Sequence, residues 1–184
     1  MNVSVRRLEP GLRGDFYALH SEANDCAWCS CAAWWVPTWK EFAVHTAEQN
    51  RAIRDGLFNR GECDGFLLYL DEQVVGWTQV GPRDRLPKLL AQYGLEPNPE
   101  IWAITCFFVA PAVRGRKLAH QLLAAVLASL AEDGVKCIQA FPKRSSSRDP
   151  GEAWTGPESL YRAFGFEVIR EDPRLPILEF RKTP

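Results

Sequence analysis

Apolar residues in this chain follow two spacings, and the switch between them marks the elements. Val3, Val5 and Leu8 lie among polar neighbours, a near-alternation that predicts a first strand over residues 3–9. Leu12, Phe16, Tyr17 and Leu19 fall roughly on one face of a helix over residues 11–23. Thr38 followed three residues later by Glu41 is a capping box, and it opens a helix with Trp39, Phe42, Ala43, Ile53 and Leu57 on its apolar face, ending near Gly61. Residues 66–70 and 74–80 are two apolar strands around the turn Asp71-Glu72-Gln73, a hairpin, with Gly76 marking a bulge or a close backbone approach. Residues 86–93 read as a short helix or an insertion closed by Gly94.

The clearest pattern runs from residue 101 to residue 130. Residues 101–109 form an apolar run rich in β-branched and aromatic side chains, a buried strand. Leu118, Leu122, Leu123, Val126, Leu127 and Leu130 then recur on one face of a long helix. Between them stand Pro111 and the basic stretch Arg114-Gly115-Arg116-Lys117, with His120 just beyond. Cations at a helix start oppose the helix dipole, so this cluster costs stability unless an anion sits among its unpaired N–H groups. A phosphate site follows, although neither G-x-x-x-x-G-K-[ST] nor G-x-G-x-x-G occurs. Beyond it come a strand over 136–141, a polar loop over 142–157, a short helix, and closing strands over 166–171 and 175–181. The order β-α-α-β-β-β-α-β-α-β-β describes a mixed α/β sheet flanked by helices, one domain over residues 1–184.

Composition narrows the picture. The 184 residues suit one full domain, and a net charge of −1 argues against a nucleic-acid partner held by bulk charge. No apolar run reaches the length of a membrane span, so no membrane partner is expected, and the start shows no signal-peptide pattern; a cytoplasmic location is the expectation. The six Cys do not follow the spacing of a small secreted disulfide scaffold, so reduced thiols are expected.

Val109-x-Pro111-x-x-Arg114-Gly115-x-x-x-Ala119 ahead of a Leu/Ala-rich helix resembles the coenzyme-A site of the GNAT (GCN5-related) N-acetyltransferases. Their signature [RQ]-x-x-G-x-[GA] falls on residues 114–119, matched at Arg114 and Ala119, with Lys117 where the family usually has Gly. Leu160-Tyr161 followed by Gly165-Phe166 resembles the family's late L-Y-x-x-x-G-F helix, and Trp154 stands where the family often carries an Asn. The two motifs occur in the family's order, within residues 101–166. The resemblance implies a GNAT-like fold and an acetyl-CoA-dependent enzyme that acetylates a small-molecule amine by direct attack in a ternary complex, with no metal. A homodimer is left open. It further implies that Phe107, Phe108 and Val109 offer backbone groups to the pantetheine arm, one N–H near Phe107 or Phe108 polarising the acetyl carbonyl. Arg114, Gly115, Arg116, Lys117, Leu118, Ala119 and His120 would hold the pyrophosphate, and Tyr161 would protonate the departing thiolate. Tyr161 is alternatively a packing residue.

No carboxylate lies on residues 101–109, and Glu100 and Asp71 are placed loosely, so a general base is not visible. Water, His20, His45 or a residue of the segment 25–35 are open alternatives. That segment, with Cys26, Cys29, Cys31, Trp28, Trp34 and Trp35, carries C-x-x-C-x-C. Zinc would need a second ligand pair, which the sequence lacks, although Cys63, His20 or His45 could complete a site. A redox or nucleophilic cysteine, and plain buried thiols among tryptophans, are the other readings. By resemblance this region lines the acceptor side of the cleft, where Trp28, Trp34 and Trp35 would favour an apolar, aromatic or cationic acceptor. A non-catalytic acyl-CoA-binding or metal- or redox-sensing module built on Cys26, Cys29 and Cys31 is the alternative function.

Overall fold

The apolar runs pair into a seven-stranded sheet of order β1-β2-β3-β4-β5-β7-β6. In the computed structural model the described residues are 2–21, 26–144 and 154–181. The strands are β1 (Val3–Arg7), β2 (Phe66–Leu70), β3 (Gln73–Pro82), β4 (Ile101–Val109), β5 (Cys137–Ala140), β6 (Glu167–Arg170) and β7 (Ile177–Arg181). The helices are α1 (Arg13–Leu19), α2 (Trp39–Val44), α3 (Ala47–Asn59), α4 (Pro87–Tyr93), α5 (Leu118–Glu132) and α6 (Glu158–Ala163). All neighbouring strands are antiparallel except β4 and β5, which are parallel and joined through α5. That is the connection a strand–helix–strand unit requires.

Leu118, Leu122, Leu123, Val126 and Leu130 of α5 are buried against one face of the sheet, with Phe66, Leu68, Ile104, Phe107, Ile138, Leu160 and Tyr161. Leu127 packs at the margin of that core. The other face carries Leu67, Tyr69 and Trp77, covered by Phe16 and Leu19 of α1, Phe58 of α3 and Cys31. The predicted bulge is present: the β2–β3 register shifts between Leu68 and Tyr69, opposite Gly76. A Cβ on Gly76 would come within 3.0 Å of the Phe108 carbonyl oxygen, so the close approach itself requires glycine.

Two expected helices are corrected. The helix predicted from Thr38 to Gly61 is two, because His45 is extended (ψ 145°) and the chain re-enters a helix at Thr46. The cause is a second capping box: Thr46 Oγ1 accepts from the Gln49 N–H at 3.2 Å while Gln49 Oε1 accepts from the Thr46 N–H at 2.8 Å. The helix predicted over 11–23 begins as a 3-10 turn at Pro10–Leu12, becomes α-helical at Arg13 and ends at Leu19. Residues 22–25 lie outside the described residues. No described helix is long and apolar enough to cross a membrane.

Candidate functional site

The site begins with a defect in the sheet. β4 and β5 pair only from Ile101 to Ile104, so the later half of β4 has no β5 partner. On its other side, β4 skips a residue against β3: Gln79 faces Cys106 and Val80 faces Ile104, leaving Thr105 bulged. A bulge bends a strand and turns its backbone groups out of the ladder. The opened edge is capped by groups from outside the sheet. Trp34 Nε1 donates to the Thr105 carbonyl at 3.4 Å, and Arg114 Nε donates to the Val109 carbonyl at 2.9 Å. Between them the Phe107 N–H donates to the Trp154 carbonyl at 2.7 Å.

Just past this edge lies the basic turn. A 3-10 turn, Pro111–Val113, leads into extended Arg114, and Gly115 (φ 79°) and Lys117 (φ 59°, ψ 18°) are left-handed. A position on a left-handed backbone favours glycine, which explains physically why a glycine suits position 117. Lys117 occupies it at the N-cap of α5, so its backbone is not right-handed helical. Arg114, Arg116, Lys117 and His120 are solvent-exposed, whereas Leu118 is buried in the core and Ala119 packs at its margin. The turn therefore presents cations and first-turn N–H groups to solvent on an apolar anchor, a cradle suited to a phosphate.

Tyr161 lies deep beneath the same edge. Its ring meets Phe107 edge-on at 6.4 Å and its hydroxyl donates to the Thr155 carbonyl at 2.6 Å. Burial, and then the nearby Cys106 thiol, raise its pKa well above that of an ordinary phenol, so it carries its proton at any physiological pH. A Cβ on Gly156 (φ 83°) would lie 2.5 Å from the Tyr161 hydroxyl, so glycine is required there on two counts. The helix carrying Tyr161 is pinned at its start: Glu158 accepts from Arg144 Nε at 2.6 Å and pairs with Arg162 at 2.7 Å. The Arg144 hydrogen bond is the main reason the Glu158 carboxyl titrates at about 2.

On the opposite face the tryptophans separate by role. Trp34 is 2% exposed and its ring packs near Trp39 (5.3 Å) and Trp154 (5.9 Å). Trp35 lies under the Arg54 guanidinium at 5.0 Å. Trp28 is 40% exposed, lies tilted against the Phe42 ring at 4.6 Å and donates to the His45 carbonyl at 2.7 Å, so it sits at the margin rather than beside Trp34. Lys88 Nζ lies 3.8 Å from the centre of the Trp39 ring, is buried without a hydrogen-bond partner, and burial lowers its pKa to about 8. None of the six cysteines forms a disulfide. Cys26 Sγ donates to the Leu19 carbonyl at 3.3 Å and Cys29 Sγ to the Cys26 carbonyl at 3.6 Å, while Cys31 is buried. Among the described residues no group of His, Cys, Asp or Glu is arranged to hold a metal ion.

Of the residues that the sequence singles out, Phe107 and Tyr161 pack against each other, and Arg114 bonds to the end of the same strand at Val109. Sequence reasoning missed Arg54, Gln79, Lys88 and Cys106, each of which reaches this face from a different element. Nothing local in the sequence marks them, because their importance comes from partners far along the chain.

A family model described as the acetyltransferase (GNAT) family matches residues 28–166. No curated protein matches in sequence. Among solved structures the chain is similar to the PaiA N-acetyltransferase of Thermoplasma acidophilum in complex with coenzyme A, at 12% identity and TM-score 0.59 over 99% of this chain and 100% of that one. It is similar to an N-acetyltransferase from Staphylococcus aureus Mu50 (16% identity, TM-score 0.58, 98% and 99% covered). A Drosophila melanogaster polyamine N-acetyltransferase gives 12% identity and TM-score 0.57, with 98% and 100% covered.

Proposed function

The chain belongs to the GNAT acetyltransferase family, and from that premise we propose that it transfers the acetyl group of acetyl-CoA to the amine of a small molecule by direct attack in a ternary complex. The observation that carries the reading is the open edge of β4 lying between a basic left-handed turn on one side and a buried phenol on the other. The turn fits the pyrophosphate: Arg116 and Lys117 supply charge and the start of α5 supplies N–H groups, with Gly115, Leu118, Ala119 and His120 completing its wall. The edge Phe107-Phe108-Val109 suits an extended pantetheine arm.

The two donors needed at the reacting centre are both held by one short segment. The Trp154 carbonyl takes the Phe107 N–H and the next carbonyl, that of Thr155, takes the Tyr161 O–H. In the acetyl-transfer reading these consecutive carbonyls stand where the acetyl carbonyl and the departing thiolate will act. Arrival of acetyl-CoA displaces the segment, the Phe107 N–H polarises the acetyl carbonyl, and Tyr161 gives its proton to the thiolate.

Acceptor choice follows from the other face. Trp35, with Trp28 further out, forms the acceptor wall, and the buried Trp34 backs it. However, the faces of Trp39 and Trp35 are already taken by Lys88 and Arg54. This favours an acceptor with an apolar or anionic body over a polycation, although one structural neighbour is named for polyamines. The test is calorimetry with millimolar acetyl-CoA followed by an amine panel assayed by thiol release and product mass. Neutral aromatic and carboxylated amines should react faster than agmatine; no heat and no thermal shift with acetyl-CoA would overturn the reading.

A further inference from the structure

Trp154 belongs to both sides of the opened edge at once. On the coenzyme side its carbonyl accepts from the Phe107 N–H at 2.7 Å. On the acceptor side its indole completes a triangle of tryptophans. Ring centres lie 5.3 Å apart for Trp34 and Trp39, 5.9 Å for Trp34 and Trp154, and 6.0 Å for Trp39 and Trp154. Trp34 is 2% exposed and Trp39 is 41% exposed, so the triangle runs from the core to solvent, with the half-buried Trp154 ring as its third corner.

Carbonyl and ring hang on the same Cα, so a shift of the backbone that frees one carries the other. The following residue is held too: Thr155 Oγ1 accepts from the Lys143 N–H at 3.1 Å, and its carbonyl accepts from the Tyr161 hydroxyl at 2.6 Å. Gly156 (φ 83°) then turns the chain into α6 and supplies the pivot.

These groups follow the order of the reaction. The Trp154 carbonyl sits on the N–H assigned to the acetyl carbonyl, and the Thr155 carbonyl sits on the hydroxyl assigned to the sulfur. In the other direction the chain runs from the same carbonyl carbon through Cα and Cβ to the ring. Resting on the acetyl-transfer reading, we infer that Trp154 is an internal stand-in for the acceptor: its indole keeps the place of an aromatic ring on the acceptor, and acetyl-CoA opens that place by displacing the Trp154 carbonyl. The acceptor class is then an amine joined to an aromatic ring by a short alkyl arm.

The two rings left behind favour such a ring. Once Trp154 moves, Trp34 and Trp39 offer aromatic surface that another ring covers in the same edge-on or tilted fashion, which is favourable beyond the area buried. Lys88 Nζ, 3.8 Å from the centre of the Trp39 ring, repels a second cation there, so a polyamine is a poor replacement. Coupling follows from the same geometry. A ligand that needs the displaced state loses affinity in proportion to how rarely that state occurs, and a first ligand that displaces Trp154 removes the loss. Coenzyme and acceptor therefore strengthen each other by one common factor.

The experiment titrates 2-phenylethylamine into the wild-type protein by calorimetry, with and without saturating acetonyl-coenzyme A. In that analogue a methylene separates sulfur from carbonyl, so no acetyl group is transferred. The amine should bind about tenfold more tightly with the analogue present, and butylamine, an amine without the ring, about tenfold more weakly than 2-phenylethylamine. Trp154→Ala should bind 2-phenylethylamine alone as tightly as the wild type does with the analogue, and should itself bind the analogue about tenfold more tightly. Trp154→Phe, with a smaller ring, should fall between. If a variant fails to fold, the wild-type titrations decide alone. The inference is overturned by an amine affinity indifferent to the analogue, by no amine binding in either condition, by butylamine binding as tightly, or by coupling that persists in Trp154→Ala. The two failures separate: no heat with the analogue alone removes the acetyl-transfer reading and this role with it, whereas analogue binding without coupling removes only the role of Trp154.

Discussion

The two faces of the opened β4 edge are built by opposite means. On the coenzyme side, the basic turn and the start of α5 come from a single stretch, residues 111–120, whose charged groups are exposed and whose apolar residues are buried. On the acceptor side nothing is local. Trp34 reaches Thr105, Arg54 joins Ser30, Cys31 and Gln79, and Lys88 lies on Trp39. The first arrangement suits a ligand whose phosphates are recognised by backbone and charge. The second places groups from five elements in a dry environment, where each polar atom matters more to stability and specificity. Changes on the coenzyme side should therefore alter binding, and changes on the acceptor side should alter folding, proton balance or acceptor choice.

The largest expected effect tests the coenzyme side. Replacing both Arg116 and Lys117 with Glu turns two attractive contacts of about 1 kcal/mol each into repulsions of similar size, about 4 kcal/mol in all, which amounts to about a thousandfold in acetyl-CoA affinity. Thermal stability should hardly change, because both side chains are exposed. Calorimetry and a melting curve check the two halves; full affinity would place the pyrophosphate elsewhere.

Trp34→Ala probes the other side and should show the reverse. Trp34 is fully packed and its N–H caps the Thr105 carbonyl. Its loss should cost about 3 to 4 kcal/mol of stability, by analogy with other buried large-to-small changes. Trp28→Ala, at a half-exposed margin, should cost about 1 kcal/mol or less. Equal denaturation midpoints for the two variants would break the distinction between core and margin.

The same contrast decides what the sequence could reveal. The coenzyme turn was legible because its information lies in consecutive residues: a strand pattern, a basic turn, a helical repeat. The fold was legible in order and type for the same reason, down to the bulge at Gly76. The break at His45 was misread although Thr46 and Gln49 repeat the capping signal of Thr38 and Glu41, because the apolar spacing across it still suits one helix. Arg54 sits between Ile53 and Leu57 and reads as an ordinary polar position until the turn at Ser30–Cys31 folds back on it. No periodicity encodes the packing of Cys31 and Cys106 into one cluster around Trp77, because the two are far apart in the chain.

Acid should expose the acceptor side before the coenzyme side. His20 is buried against Phe16 and Trp77, and its pKa falls from 6.5 to about 4 through burial. Above pH 6.5 both folded and unfolded chains hold it neutral and it has no effect. Between pH 6.5 and 4 the unfolded chain takes up a proton that the folded chain refuses, so stability is lost as pH falls, by about 3 kcal/mol at most. Below about 4 the loss levels off, and Glu158 begins its own as pH falls from its ordinary range through about 2. Urea unfolding at stepwise pH checks this: His20→Gln should flatten the upper part of the curve. A wild-type curve flat between pH 6.5 and 4 would mean that His20 protonates in place.

The smallest effect sharpens the coenzyme side from within. Lys117 holds a left-handed backbone at the N-cap of α5. For a residue with a Cβ that state costs about 1 to 2 kcal/mol, part of which glycine returns as lost chain entropy. Lys117→Gly should therefore stabilise the protein by about 1 kcal/mol. The substitution also removes an exposed ammonium beside the expected pyrophosphate, a contact of about 1 kcal/mol, so acetyl-CoA affinity should fall about fivefold. The two changes have opposite signs, and measuring both separates the roles of backbone and side chain at one residue. A more stable variant with unchanged affinity would show that the turn holds the phosphate through Arg116 and backbone N–H groups, with the lysine tolerated there rather than used. A less stable variant would mean that the Lys117 side chain packs on α5 strongly enough to outweigh its backbone strain, and the physical account of this position would have to be replaced.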